Sequence, residues 1–251
     1  MNHFSPKGLA YRVRKELRCI CAKYPEFYFS QRQNLYGFVD NYRMINSDTE
    51  IVIDGYPCSA NTFAEKAFRM AQPREVKMAH HTHDPSQLIT AIKANIPTIA
   101  LIRNPEDVTL SYTSRFCDPA NTSEDNVAQL IHYLLNDYLD FYRRIIKYKG
   151  YYIIAEFKTI TSAYDLIIKE LNSKYEVNFN PFYCNEPNLE EVFLVIDQCN
   201  QERLGSFDEN IVARPSSTRT ETKEYFRTYL NRPKINKMLN LSYNLYYEIT
   251  S

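Results

Sequence analysis

Three short stretches of this chain carry residue types able to do chemistry on a phosphate-like anion. In the first, Glu50 to Phe63, the β-branched run Ile51-Val52-Ile53 ends at Asp54-Gly55. Tyr56-Pro57-Cys58-Ser59-Ala60-Asn61-Thr62 then leads into a helical stretch from Phe63 to Met70. A strand, a tight loop of small residues and a helix start turn backbone N–H groups toward one point. The positive end of the helix dipole makes that point an anion site. Ser59, Asn61 and Thr62 add side-chain donors. An ordinary N-capped strand–helix junction is the competing reading of the same residues. The second stretch is His80-His81-Thr82-His83-Asp84-Pro85, at the end of a strand expected over Glu75 to Ala79. Neutral imidazole is a suitable general base for a hydroxyl near neutral pH, and His83, next to the anion site, is the candidate. The histidine cluster has no further ligand group at zinc-like spacing, so no metal is expected. In the third stretch Arg103 closes an apolar run from Pro97 to Ile102, and Ser111 follows two turns into the next helix. A guanidinium fork and a hydroxyl can converge there on one phosphate. Pairing of Arg103 with Glu106 or Asp107 on its own helix is the alternative.

The surrounding pattern supplies elements to hold these stretches. Helical patterning is expected over Lys7–Lys23, from Ser86 as N-cap through Leu88, Ile89 and Ile92, and over Pro105–Ser114 with proline in its first turn. A helical period also runs from Val127 through Leu134, Tyr138 and Tyr142 to Ile146. A strand is expected at Tyr151–Ala155, then helices at Ile160–Leu171, Leu189–Gln201, Arg219–Leu230 and Pro233–Tyr247. The aromatic-rich residues from Tyr24 to Asn46 have no clear period. Strands alternating with helices imply an α/β class: a phosphate-loop-like three-layer sandwich around a central, mainly parallel sheet. Its ligand site should lie at the carboxyl ends of the strands. All three chemical stretches fall at such ends. One domain over residues 1–251 is the simplest organisation, with 1–49 as its N-terminal helical and aromatic extension.

Composition removes several classes of function. Thirty basic residues balance thirty acidic ones, so no general affinity for nucleic acid or an anionic membrane is expected, and anion recognition must be local. With 44% apolar and 24% charged residues the chain has the make-up of a globular protein. Six cysteines lie without a CxxC pattern, which reads as reduced thiols in a cytoplasmic protein rather than a disulfide framework. Basic residues interrupt the N-terminal stretch, so no apolar leader is expected. There is no Trp, so any nucleobase contact must come from Phe or Tyr. A monomer and a homodimer are equally compatible with the sequence.

The first stretch fits the GxxxxGK[ST] phosphate-loop pattern only at Gly55 and Thr62, with Ala60 and Asn61 in place of the second glycine and the lysine. That disfavours a small-molecule kinase. Taken together, the three stretches resemble the sulfotransferases that use 3′-phosphoadenosine 5′-phosphosulfate (PAPS). Tyr56-Pro57-Cys58-Ser59-Ala60-Asn61-Thr62-Phe63 is similar to their 5′-phosphosulfate loop, YPKSGTTW or GYPRSANTF-like. His81-Thr82-His83-Asp84-Pro85 is similar to their KTHLP, and Arg103 through Ser111 to their 3′-phosphate motif RNPxDxxxS. Ala213 to Arg219 resembles, less closely, a late basic segment that supplies an arginine, here Arg214, to the nucleotide. The resemblance spans roughly residues 50–230. It implies in-line sulfuryl transfer from PAPS to the hydroxyl or amine of a small-molecule acceptor, such as a natural product or a saccharide. His83 would be the base, Phe63 would stack on adenine, adenosine 3′,5′-bisphosphate (PAP) would leave, and no metal would take part. Cys58 departs from the pattern by standing where the family loop has Lys or Arg. A stand-in cation (His81, Lys77 or Arg214), slow turnover, or nucleotide binding without turnover are the open consequences.

Overall fold

The apolar runs read from the sequence become four parallel strands in a single sheet of order β2-β1-β3-β4. They are β1 (Ile51–Gly55), β2 (Met78–His80), β3 (Thr98–Ile102) and β4 (Ile153–Glu156). The computed structural model describes residues 43–204 and 217–251. The helix expected at Lys7–Lys23, most of the aromatic stretch from Tyr24 to Asn46, and Arg214 lie outside the described residues. Every residue of β1 and of β3 is buried, as parallel strands covered on both faces require. The chain leaves β1 for β2 on one side and returns to β3 on the other. The carboxyl ends of β1 and β3 therefore flank a topological switch point, where open α/β sheets bind ligands.

The helices are α1 (Asn61–Ala71), α2 (Pro85–Lys93), α3 (Pro105–Phe116), α4 (Glu124–Ile145), α5 (Phe157–Ser162), α6 (Tyr164–Tyr175), α7 (Glu186–Leu204), α8 (Ser217–Arg227) and α9 (Pro233–Thr250). Side-chain alternation divides them between two outer layers. Ile51, Ile53, Ile99 and Leu101 face Phe68 of α1, Ile168 of α6 and Val192 of α7. Val52, Ala100 and Ile102 face Leu88 of α2, Tyr138 and Tyr142 of α4 and Ile249 of α9. A further apolar cluster joins α3, α4, α8 and α9 through Leu110, Leu134, Phe226 and Leu239. The expected three-layer α/β sandwich is therefore present, and its described sheet is wholly parallel.

Several boundaries move for local reasons. β2 begins at Met78 rather than Glu75: Ile51 at the start of β1 pairs with Met78, and at the residue before, the Glu50 amide donates to the Lys77 carbonyl while the Lys77 amide turns to the Glu50 side chain. α2 is capped by Asp84, not Ser86: the Asp84 carboxylate accepts from the Ser86 amide at 2.9 Å, and Pro85 supplies the first helical residue with its φ already set. The helix expected over Ile160–Leu171 is split at Ala163, whose φ of −151° and ψ of 48° are not helical. Among the described residues no helix is long and apolar enough to cross a membrane.

Buried tyrosines of α4 fasten the end of β3. The Tyr142 hydroxyl donates to the Leu101 carbonyl at 2.8 Å and the Tyr138 hydroxyl to that of Arg103 at 3.0 Å. Burial pushes both phenols upward in pKa, so they remain donors throughout the physiological range.

Candidate functional site

The site begins at Asp54, a fully buried acid inside an apolar strand. One carboxylate oxygen accepts from the Gly55 amide at 2.8 Å and the His83 amide at 3.3 Å. The other accepts from the Thr82 amide at 2.9 Å, the Thr82 hydroxyl at 2.7 Å and the Gln87 side chain at 3.0 Å. Asp54 thus ties the end of β1 to the loop between β2 and α2. Nothing in the sequence reading singled it out. An ionisable residue in an otherwise apolar strand was the signal, since burial of a charge requires several donors.

Beyond β1 the loop adopts left-handed backbone without glycine: Cys58 has φ 65° and Ala60 φ 68°. His81 and His83, in the loop after β2, have φ 56° and 52°. Four non-glycine residues in this sparsely populated region, all in two neighbouring loops, mark backbone held in place by its surroundings. Ala60 is the N-cap of α1 and provides no side-chain cap. In contrast, α2, α3 and α4 have side-chain caps from Asp84, Asn104 and Ser123. The α1 start therefore presents uncapped amides at the carboxyl end of β1, the arrangement suited to an anion.

Arg103, at the end of β3, crosses the switch point to this loop. Its Nη1 donates to the Cys58 carbonyl at 3.1 Å, and its guanidinium lies 3.9 Å from the centre of the Phe157 ring. Burial pulls its pKa down, opposed by Asp107 and Cys58. The alternative of a pair with its own helix does not form with Glu106, which instead meets Arg227 at 2.9 Å and the Tyr243 hydroxyl at 3.2 Å. Arg103 Nε and Asn61 Oδ1 are buried and have no hydrogen-bond partner among the described residues. Buried polar atoms in a native fold are nearly always partnered, so these two are suited to contact a molecule held by the loop.

His83 stands on the opposite side of the loop. Its Nδ1 lies 2.8 Å from the Gly55 carbonyl, an acceptor only, so Nδ1 carries the proton and Nε2 is the basic nitrogen. The side chain is 31% exposed, within reach of a bound molecule. His81 behaves differently. Its Nε2 lies 3.2 Å from the Thr62 hydroxyl and its Nδ1 2.7 Å from Nδ1 of His80. Burial holds its pKa well below the usual imidazole range, with His83 and His80 acting in the same direction.

The structure brings together the loop from Tyr56 to Thr62, Arg103 and His83, and sends other expected residues elsewhere. Tyr56 is in the core: its ring packs against Tyr138 and Phe141, and its hydroxyl donates to the Leu134 carbonyl at 3.1 Å. Only its carbonyl faces the loop, accepting from the Asn61 side chain at 3.0 Å. Phe63, expected as the adenine platform, is 3% exposed and packed against Phe182 and Phe193, which leaves no ring face open to a base. The Cys58 side chain packs against apolar clusters on the α4 side. Pro57 is half-buried in the turn that precedes it. Ser111 is buried in α3 and forms no hydrogen bond with Arg103. Among the possible stand-in cations, His81 is held neutral, and Lys77 sits at the amino end of the sheet beside Glu50 and Glu75. The histidine cluster also has a neighbour that sequence spacing did not reveal: Glu65 of α1.

No family profile matches the chain, and no curated protein is similar to it in sequence. Among solved structures it is similar to a crystal structure of mouse sulfotransferase SULT7A1 complexed with PAP. The two chains are 13% identical, with a TM-score of 0.45, and the match covers 78% of this chain and 90% of that one.

Proposed function

We propose that this protein is a sulfotransferase that moves a sulfuryl group from PAPS to a hydroxyl (or amine) of a small-molecule acceptor. The observation that carries the reading is Arg103 reaching across the switch point to the loop before α1, with His83 hydrogen-bonded to the same loop. Two anion-binding groups on neighbouring strand ends suit a nucleotide phosphorylated at both its 3′ and 5′ positions. The uncapped α1 amides would take the 5′-phosphosulfate and Arg103 the 3′-phosphate. The acceptor hydroxyl gives its proton to Nε2 of His83 as its oxygen attacks sulfur. The bond from sulfur to the bridging oxygen breaks, and PAP leaves with the negative charge. Donors fixed at Thr62 and the α1 start lower the energy of that developing charge.

Calorimetry with PAP tests the binding half of this reading. Mg²⁺-independent binding of PAP, with ATP ignored, is expected. Arg103→Ala should weaken it about 10–100-fold, the worth of a charged hydrogen bond. His83→Ala should bind PAP as the parent does while transferring sulfate about 10²–10⁴-fold more slowly. Transfer at the parental rate would remove His83 from its role.

A second reading, a nucleotide-binding protein with little or no turnover, is favoured by Cys58, which packs on apolar side chains where an added cation would assist the leaving phosphate. Cys58→Lys separates the two. A rise in turnover on the order of 10²-fold is expected if only charge is lacking in the loop. Unchanged turnover with intact PAP affinity would point to another cation already in place.

A further inference from the structure

We propose that Glu65, His80 and His81 form a binding site for one divalent transition-metal ion, with Zn²⁺ the best match to the donors. One ligand atom from each residue lies within 4.8 Å of the other two. Successive residues of a continued strand point to opposite faces, so adjacent histidines do not ordinarily share a ligand. Here the φ of 56° at His81 reverses that direction and sets the two Nδ1 atoms 2.7 Å apart. Glu65 comes from α1, one helical turn beyond Thr62, and points to the same side. Glu65 and His80 are almost fully buried, at 6% and 4% exposure.

An ion would displace the proton that now joins the two Nδ1 atoms, and the other hydrogen bonds around the three side chains suit coordination. With Nδ1 of His81 on the ion, its Nε2–H donates to the Thr62 hydroxyl 3.2 Å away. Such a partner on the other ring nitrogen is the usual means of fixing a metal-bound imidazole. The bonds that Arg69 and Lys66 give Glu65 both fall on Oε1, at 2.9 and 3.4 Å, which leaves Oε2 to coordinate. Both cations have partly exposed side chains and can retain solvent contact when an ion is bound. Two imidazoles and one carboxylate select Zn²⁺ over hard cations and leave a fourth position for water. The ligands are these three side chains alone, and the site meets the transfer reaction proposed above only at Thr62.

The test uses the full-length protein, stripped with a chelator and dialysed, then titrated with Zn²⁺ by calorimetry and with Co²⁺ by absorption spectroscopy. One equivalent of Zn²⁺ should bind and raise the thermal unfolding midpoint. Co²⁺ should give ligand-field bands without a thiolate charge-transfer band. Glu65→Gln and His81→Gln should each weaken Zn²⁺ binding by at least about 100-fold and abolish the rise in unfolding midpoint. Two variants on different elements are used, with circular dichroism reporting the fold, so that failure of one to fold leaves the other to decide. Failure of the parent to bind, retention of binding in a folded variant, or a cobalt–thiolate band would overturn the proposal.

Discussion

An Asp54→Ala protein is expected to lose about 4 kcal/mol of folding stability, seen as a large drop in the urea midpoint, and to lose the position of His83 with it. The carboxylate takes three backbone amides, from Gly55, Thr82 and His83, none of which can turn to another acceptor. Each buried donor left without a partner costs about 1–3 kcal/mol, partly relieved by entering water. Asp54→Asn should rescue little. Whichever way its amide points, the NH₂ group meets at least one of those N–H groups, because Gly55 and His83 share one oxygen and Thr82 holds the other. Gln87 cannot adjust either, since its own carbonyl is held by the Ile45 amide at 3.1 Å. An Asn variant with parental stability would show that Asp54 is not the fastening point of the two loops.

Gly55→Ala is expected to cost about 3 kcal/mol or more and to distort the site even where the chain still folds. A Cβ at Gly55 would lie 2.7 Å from the Cβ of Leu101, and closer still to the Leu101 carbonyl oxygen. That carbonyl is backbone of β3, and it accepts the Tyr142 hydroxyl, so it cannot swing aside. β1 and β3 would have to separate at the Gly55–Leu101 pair, one residue before the loop and two before Arg103. Thermal unfolding reports the stability loss and calorimetry with PAP the damage to the cleft. Binding and unfolding midpoint both at the parental level would mean that the strands can move apart freely here.

These two positions show where local sequence stops being informative. Gly55 could be read as part of a tight loop, but its need comes from a neighbouring strand more than forty residues away. Asp54 looked like the end of a strand, and apart from the Gly55 amide its donors come from the loop and the helix that follow β2. Phe63 shows the same limit from the other direction. An aromatic residue at the helix start has the right chemistry for stacking on a base, and burial against Phe182 and Phe193 assigns it to the core. The pairing of Glu65 with His80 and His81 was equally hidden, because ligand spacing along a chain says nothing of a helix packed beside a strand end.

Residue order by itself determined the alternation of strands and helices, the burial of TIALI on both faces, and the location of every chemical stretch at a strand's carboxyl end. Hydrophobic period and turn residues are local properties, and they carry that much. Tertiary structure alone decided which side chains face the cleft, that Arg103 bonds the opposite loop instead of its own helix, and that Cys58, Ala60, His81 and His83 take left-handed backbone. No residue type among these four announces such a conformation. It is imposed by the hydrogen bonds and packing of elements distant in sequence, and only the assembled sheet supplies them.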